Sequence, residues 1–312
     1  MGRFLSKAAL GKLTAQTPAG EAASVMLADA ARRVAEHLPE DVADLEDQRA
    51  VHKLRVSTRR AAAVVRGFKG VVRKKDLKRL RKTLKQIRRA AGPVRDRDVL
   101  EALVDDRIAR TTDRPQALGL SYCAGVLGAG AADNRRDCWS ALQKKRIERL
   151  VADAERAEVR KSARKTPLGE LGTLRIGEAR DAFNDARGAD LRDIDNLHAL
   201  RIAGKRLRYS MELFGRYTAI PHLKTDLKRL KALQDDLGEI NDLNNLAEFA
   251  EEVAEIAPTD GPAAEGLRAA INALRNDERK AGEVAAEQLR PSYSNGRAPA
   301  PGARPPISTR GG

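Results

Sequence analysis

Residues 51–60 read VHKLRVSTRR and residues 197–206 read LHALRIAGKR. The second stretch is the first displaced by 146 positions: His52 meets His198, Leu54 meets Leu200, Arg55 meets Arg201 and Arg60 meets Arg206. The same displacement, without gaps, carries Gly92-Pro93-Val94-Arg95-Asp96 onto Gly238-Glu239-Ile240-Asn241-Asp242. Thirteen of the 50 positions in 51–100 are identical to their mates. Six of these are His, Arg or Lys: His52, Arg55, Arg60, Lys78, Lys82 and Lys85, matched by His198, Arg201, Arg206, Lys224, Lys228 and Lys231. Arg59 keeps its charge as Lys205. A duplication retains core leucines for packing; one that also retains its cations points at an anion.

The charge of the whole chain supports that direction. Its 312 residues carry a formal +15 and a pI near 10.1, which suits a polyanionic partner. Residues 51–100 hold 18 Lys/Arg against 3 Asp/Glu, whereas 197–246 hold 9 against 6, so the two copies are electrostatically unequal. Aromatics are only 3% of residues, too few for the base-stacking platforms of single-strand binders. Cys123 and Cys138 fit neither a disulfide framework nor a zinc cluster and read as buried free thiols in a reducing compartment. No apolar run reaches the ~18 residues of a membrane span. The N-terminal MGRFLSKAALGKL lacks the continuous apolar region of a signal peptide. The expected address is the cytoplasm, with no membrane association.

Apolar residues recur at three- and four-residue steps, and no segment alternates as a strand does. Helices are expected over 21–38, 50–68, 74–91, 94–108, 115–130 and 131–163. After the boundary Thr166-Pro167-Leu168-Gly169 the pattern restarts, over 171–186, 194–214, 222–237, 238–257 and 263–289. Glycines at 119, 125, 128 and 130 leave the continuity of the fifth helix open. The fold class is therefore all-α: two pseudo-symmetric bundles of about four helices each, around a basic groove or pore. Residues 1–19 read as a flexible lead-in, 20–290 as the helical domain with halves 20–165 and 168–290, and 291–312 as a disordered basic tail rich in Pro, Gly and Ser.

The cations form ladders. His52, Arg55 and Arg59 lie at i, i+3 and i+7 on one helix stripe, continued by Arg66, and Arg60 is adjacent. In the second copy His198, Arg201 and Lys205 repeat the spacing, with Arg206 beside them and Arg208 extending the stripe. The next helix carries Lys78, Lys82, Lys85 and Arg89, mirrored by Lys224, Lys228 and Lys231. Like charges at i, i+4 cost a few tenths of a kcal/mol per pair, a cost that a multivalent anion would relieve. A solvated basic face is the plainer reading, and the recurrence of the same cations argues against it. The two histidines have no ligand-spaced Cys, His or carboxylate beside them, so they read as phosphate donors or packing residues, not as a metal site. Gly92–Asp96 and Gly238–Asp242 read as helix punctuation, with Asp96 and Asp242 placed to pair with the ladders.

Taken together, VHKLRVSTRR, LRKTLKQIRRAAGPVRDRDVL, LHALRIAGKRLRYSMELF and LKALQDDLGEINDLNNL resemble the CHAD family, the conserved histidine α-helical domains. The resemblance spans roughly residues 20–290. It implies two four-helix bundles about a basic pore that binds inorganic polyphosphate, and a place on polyphosphate granules. The basic and histidine positions it carries over are His52, Arg55, Arg59, Arg60, Lys82, Lys85, His198, Arg201, Lys205, Arg206, Lys228 and Lys231. This sequence departs where Ala61-Ala62-Ala63 faces Leu207-Arg208-Tyr209, and where Asp235-Asp236 replaces Arg89-Ala90. Many relatives are fused to a triphosphate-tunnel domain with an ExExK motif. That motif does not occur here, so the expectation is a stand-alone binding module, not an enzyme, needing no cofactor or metal. The alternative is a nucleic-acid-binding protein using the same surface; some nucleic-acid affinity is expected of any phosphate binder at low salt, although no reader motif is present.

Overall fold

The computed structural model describes residues 5–142, 144–163 and 165–289. The proposed tail, 291–312, lies outside them. The described residues form twelve α-helices and no strand, only isolated bridges. The helices are α1 (Lys7–Gly11), α2 (Ala19–Ala35), α3 (Gln48–Gly67), α4 (Lys74–Ala90), α5 (Gly92–Arg110), α6 (Arg114–Ala129), α7 (Ala131–Ala141), α8 (Lys144–Glu155), α9 (Leu168–Arg187), α10 (Ile194–Phe214), α11 (Leu223–Ile256) and α12 (Gly261–Leu289). In the stretch read from sequence as a lead-in, Leu5, Ala9 and Leu13 are buried in the main core, which α2 shares.

The duplication is visible in how the two site helices begin. The Asp47 carboxylate caps α3 by accepting from the Arg49 N–H at 2.8 Å, and Asp193, 146 residues later, caps α10 by accepting from the Asp195 N–H at 2.9 Å. The starts of α2 and α9 are tied to each other. The Ala19 N–H donates to the Thr166 carbonyl (2.7 Å) and the Leu168 N–H to the Thr17 carbonyl (2.8 Å), across Pro18 and Pro167. These reciprocal bonds join the head of one half to the head of the other.

One expected boundary is absent. Gly92-Pro93 does separate α4 from α5, because proline lacks the N–H and its ring clashes with the carbonyl four residues back. At the equivalent positions Gly238-Glu239 no break occurs, and α11 runs unbroken over 34 residues. Glu239 supplies the N–H that Pro93 cannot. The expected division of 222–257 into two helices is thus corrected to one. Conversely, 131–163 is not one helix but α7 and α8, parted at Leu142. Despite its glycines, α6 is continuous.

Helices α2, α3, α4 and α8 pack together over the largest core, which holds Met26, Leu54, Phe68, Leu80, Ile87 and Leu150. Helix α10 packs on α9 and α11, and α3 crosses α10. A second core holds Val104, Leu120, Leu246, Leu267 and Leu274 where α5 and α6 meet α11 and α12. The first half of the sequence therefore lends α5 and α6 to partners in the second. Cys123 and Cys138 sit in different cores, and burial pushes each thiol up to about 11, which makes both poor nucleophiles.

The α6–α12 contact brings backbones together at Gly119 and Gly266. A Cβ on Gly119 would collide with the Gly266 carbonyl, and one on Gly266 would lie 2.7 Å from the Gly119 nitrogen. Six residues along α6, a Cβ on Gly125 meets nothing within 4 Å. Gly119→Ala is therefore expected to destabilise the protein by about 2 kcal/mol or more, as overpacking does. Gly125→Ala is expected to be neutral or stabilising by up to about 1 kcal/mol, the helix-propensity gain. Urea midpoints of the two variants check the contrast.

Candidate anion-binding cleft

A cleft of about 580 Å³ lies between α3, α4, α9 and α10. From α3 and the turn after it come Arg59, Arg66 and Lys69; from α4, Arg81, Lys85 and Arg88; from α9, Arg175; from α10, Arg206. Glu178 is the one lining carboxylate, and it is engaged by Arg175 at 2.7 Å. Arg175 also donates from Nε to the Gly67 carbonyl (3.0 Å) and from Nη2 to the Lys69 carbonyl, so it closes the C-terminal end of α3 and is held by scaffold. The other seven cations make no ion pair among the described residues.

Several of these groups are crowded. Burial holds the Arg66 guanidinium below the usual arginine range, and Arg206, Arg81 and Arg88 add to the effect. Part of the Arg66 side chain is nonetheless exposed. Arg59 links the cleft to a second group of cations. It is close enough to Arg55, His52, Arg201 and Lys205 to depress the protonation of each. The Nε atoms of Arg59 and Arg201 are buried without a hydrogen-bond partner among the described residues. A buried donor left unmade costs about 1–3 kcal/mol.

The nominated residues divide sharply. Arg59, Lys85 and Arg206 line the cleft. Arg201 and Lys205 cluster beside Arg59, with Asp242 among them and Arg208 near Lys205. Arg55 is committed to architecture: its Nη1 donates to the carbonyls of Ala91 (3.3 Å) and Gly92 (3.1 Å), and its Nη2 lies 3.2 Å from Asp96, so it ties α3 to the α4–α5 corner. Asp96 and Asp242, read as helix punctuation placed to pair with the ladders, face Arg55 and Arg201. Arg60 projects from another flank of α3, toward Glu212, Tyr209, Arg33 and Arg208. His52 lines a separate pocket, described below. Lys78, Lys82 and Arg89 are exposed on α4 but rotated away from the cleft. His198, Lys224, Lys228 and Lys231 are exposed outside it, and Lys231 donates to Asp235 at 2.6 Å.

Arg81 and Arg88 were missed from sequence, as was Lys69. The cleft-facing stripe of α4 is Arg81, Lys85 and Arg88, at i, i+4 and i+7. The stripe chosen from the repeat lies next to it. The discriminating signal was the apolar face: Leu77, Leu80, Leu84 and Ile87 are buried, and Leu84 itself reaches the cleft between Arg81 and Arg88.

Lys205 provides a test of this crowding. Burial first, then Arg201, Arg59 and Arg208, push its ammonium down to about 8 from 10.5, against the opposing pull of Asp242. The folded state therefore disfavours the charged form. That penalty is present in full below about pH 8 and is relieved as pH rises from about 8 toward 10.5, where the unfolded chain still binds the proton. Lys205→Met is expected to melt higher than the wild type at pH 7, by about 2–4 °C for each kcal/mol relieved. The gap should narrow between pH 8 and 10. Thermal melts of both proteins across that range check the sign.

Comparison with known proteins follows the same lines. A family model described as "CHAD domain" matches residues 25–251. Among solved structures, the CHAD domain from the plant Ricinus communis aligns with TM-score 0.67 and 21% identity, over 89% of this chain and 94% of that one. PptA from Streptomyces chartreusis aligns with TM-score 0.62 and 18% identity, over 88% and 99% respectively. No curated protein matches the sequence. With the matched region covering most of the helices and all of the cleft, the chain belongs to the CHAD domain family.

Proposed function

We propose that the cleft binds inorganic polyphosphate and that the protein is a binding module, not an enzyme. The observation that carries this reading is the set of seven cations, Arg59, Arg66, Lys69, Arg81, Lys85, Arg88 and Arg206, converging on one concavity without a carboxylate partner among the described residues. A linear phosphoanhydride offers a charge at every unit and is slender enough to lie in such a cleft. Charge-assisted contacts contribute roughly 1.5–3 kcal/mol each when well ordered. Seven at the lower figure give a gross of about 10 kcal/mol, and ordering costs reduce that toward micromolar affinity or somewhat better. Arg59 would pass the chain from the cleft to Arg201 and Lys205.

Nucleic acid fits the same charge less well. A duplex presents its phosphates on the outside of a wide cylinder whose major groove alone is about 12 Å across, whereas these cations, although mostly exposed, line a concavity between four helices. Single strands need stacking platforms, and the cleft's rings are Tyr209, beside Arg208, and Phe214, buried edge-on against Phe68. Hydrolysis of the anhydride would need an activated water, and the one lining carboxylate is committed to Arg175. Among the described residues no three His, Cys, Asp or Glu side chains converge as metal ligands would. No described helix is long and apolar enough to cross a membrane. A location on polyphosphate granules would follow from the binding itself.

Titration calorimetry should show long-chain polyphosphate outcompeting duplex DNA at physiological salt, and orthophosphate binding far more weakly. Replacing Arg66, Arg81 and Arg88 by Gln should weaken polyphosphate by about 100-fold or more, since each lost contact of about 1.4 kcal/mol is tenfold. The same change at Lys78, Lys82 and Arg89, on the neighbouring stripe, should cost less than about tenfold. Equal losses would mean that bulk charge, not the cleft, recruits the ligand. Release of phosphate from the polymer with Mg²⁺ present would refute the binding-module reading.

A further inference from the structure

Another flank of α3 builds a second concavity, of about 410 Å³, against α2. It shares no lining residue with the cleft. Lys53 and Arg60, seven residues apart, face it, while Arg59 and Arg66, also seven apart, face the cleft; one residue's turn of about 100° separates the two pairs. Arg33 and His37 reach in from α2 and the turn after it, and His52 stands at the edge of α3. The walls between them are small and apolar, and the Ser57 hydroxyl is spent on the Leu54 carbonyl at 2.9 Å.

Three cations and two imidazoles thus converge with no carboxylate among the lining residues. Arg33, Lys53, His37 and His52 make no ion pair among the described residues. Arg33 and Arg60 come close enough to oppose each other's charge, and Glu212, across the α3–α10 crossing, offsets Arg60 from outside the pocket. The pocket is smaller than the cleft and carries fewer permanent charges, so it suits a compact, multiply charged anion. Guanidinium forks and imidazole N–H groups match the tetrahedral oxygens of phosphate.

We propose that the α2–α3 pocket is a second anion site, taking a short phosphoanhydride such as pyrophosphate on Arg33, Lys53 and Arg60, with His37 and His52 as further donors. It stands independently of the cleft: a long chain can occupy the cleft with this pocket empty.

The chain has four histidines, His37, His52, His198 and His222, and only the first two line the pocket. Their ring-proton resonances therefore report on it, His37 the more cleanly because Arg59 couples His52 to the cleft. In the full chain at pH 7, titration with pyrophosphate should move the His37 and His52 signals along one isotherm and leave those of His198 and His222 in place. Arg33→Gln with Lys53→Gln should weaken that isotherm at least tenfold, while Arg66→Gln with Arg88→Gln leaves it unchanged. Should the double pocket variant fold poorly, Lys53→Gln alone, at an exposed position, serves with a smaller expected loss of about threefold. His37 and His52 signals unmoved at millimolar pyrophosphate would overturn the proposal, as would loss of the isotherm in the cleft variant with the pocket variant unaffected. Failure of long-chain polyphosphate to bind the wild type would instead count against the reading of the cleft and leave these shifts to be judged separately.

Discussion

Like charges are forced together where α3 crosses α10, and the rest of the molecule is arranged around that crossing. Arg59 meets Arg201 and Lys205 there, and Arg66 meets Arg206, Arg81 and Arg88. Asp242 is the acidic group within reach of the first set, and burial raises its own pKa while Arg201 and Lys205 pull it back. Such a site is unfavourable to folding, and the scaffold must supply the difference. It does so with apolar burial along both helices and at their ends, where Leu54, Phe68, Leu200 and Phe214 are fully enclosed. It also does so with arginines that are not free: Arg55 fastened to the α4–α5 corner and Arg175 closing the end of α3. The reciprocal bonds across Pro18 and Pro167 tie the starts of α2 and α9, which pack on α3 and α10 respectively.

The all-α class, the duplication and most helices were legible because they rest on local signals. A period of three to four, a capping Asp and a proline act within one or two turns. Asp47 and Asp193 even repeat at the same 146-residue offset as the histidines, so the repeat already contained the start of each site helix. Gly238 shows where local reading fails. Glycine permits a helix end but does not compel one, whereas Pro93 does, and the packing of α11 against α5, α6, α10 and α12 carries it straight through. The break at Leu142 was hidden for the opposite reason: no Gly or Pro marks the stretch Cys138–Leu142.

The cleft was only partly legible, and the reason is instructive about duplications. Cations common to both copies were the guide, yet a side chain can be retained because it holds the scaffold. Arg55 and Arg201 each face an aspartate at the equivalent position, Asp96 and Asp242. The residues that make the cleft deep and positive are mostly those that differ between copies. Arg66, Arg81 and Arg88 have as counterparts Glu212, Leu227 and Gln234. Arg66 is reached by continuing the α3 stripe, but no search for repeated charge would select Arg81 and Arg88; it takes the rotation of α4 about its buried leucines to show which basic stripe faces inward.

Those three differences also make the equivalent face of the second copy less basic than the cleft. On the second face, the position of Arg66 is taken by Glu212, which lies 3.5 Å from Arg208 and faces Arg60. Burial raises the Glu212 pKa, but Arg208 and Arg60 oppose the rise and favour its anion. The carboxylate thus pairs with Arg208 and partly offsets Arg60, and Leu227 and Gln234 add no charge beside them. A long chain bound there would have to displace Glu212 from its partners and would meet fewer cations for doing so. Of the 12-charge difference between the halves, +15 over 51–100 against +3 over 197–246, four charges fall at these three positions.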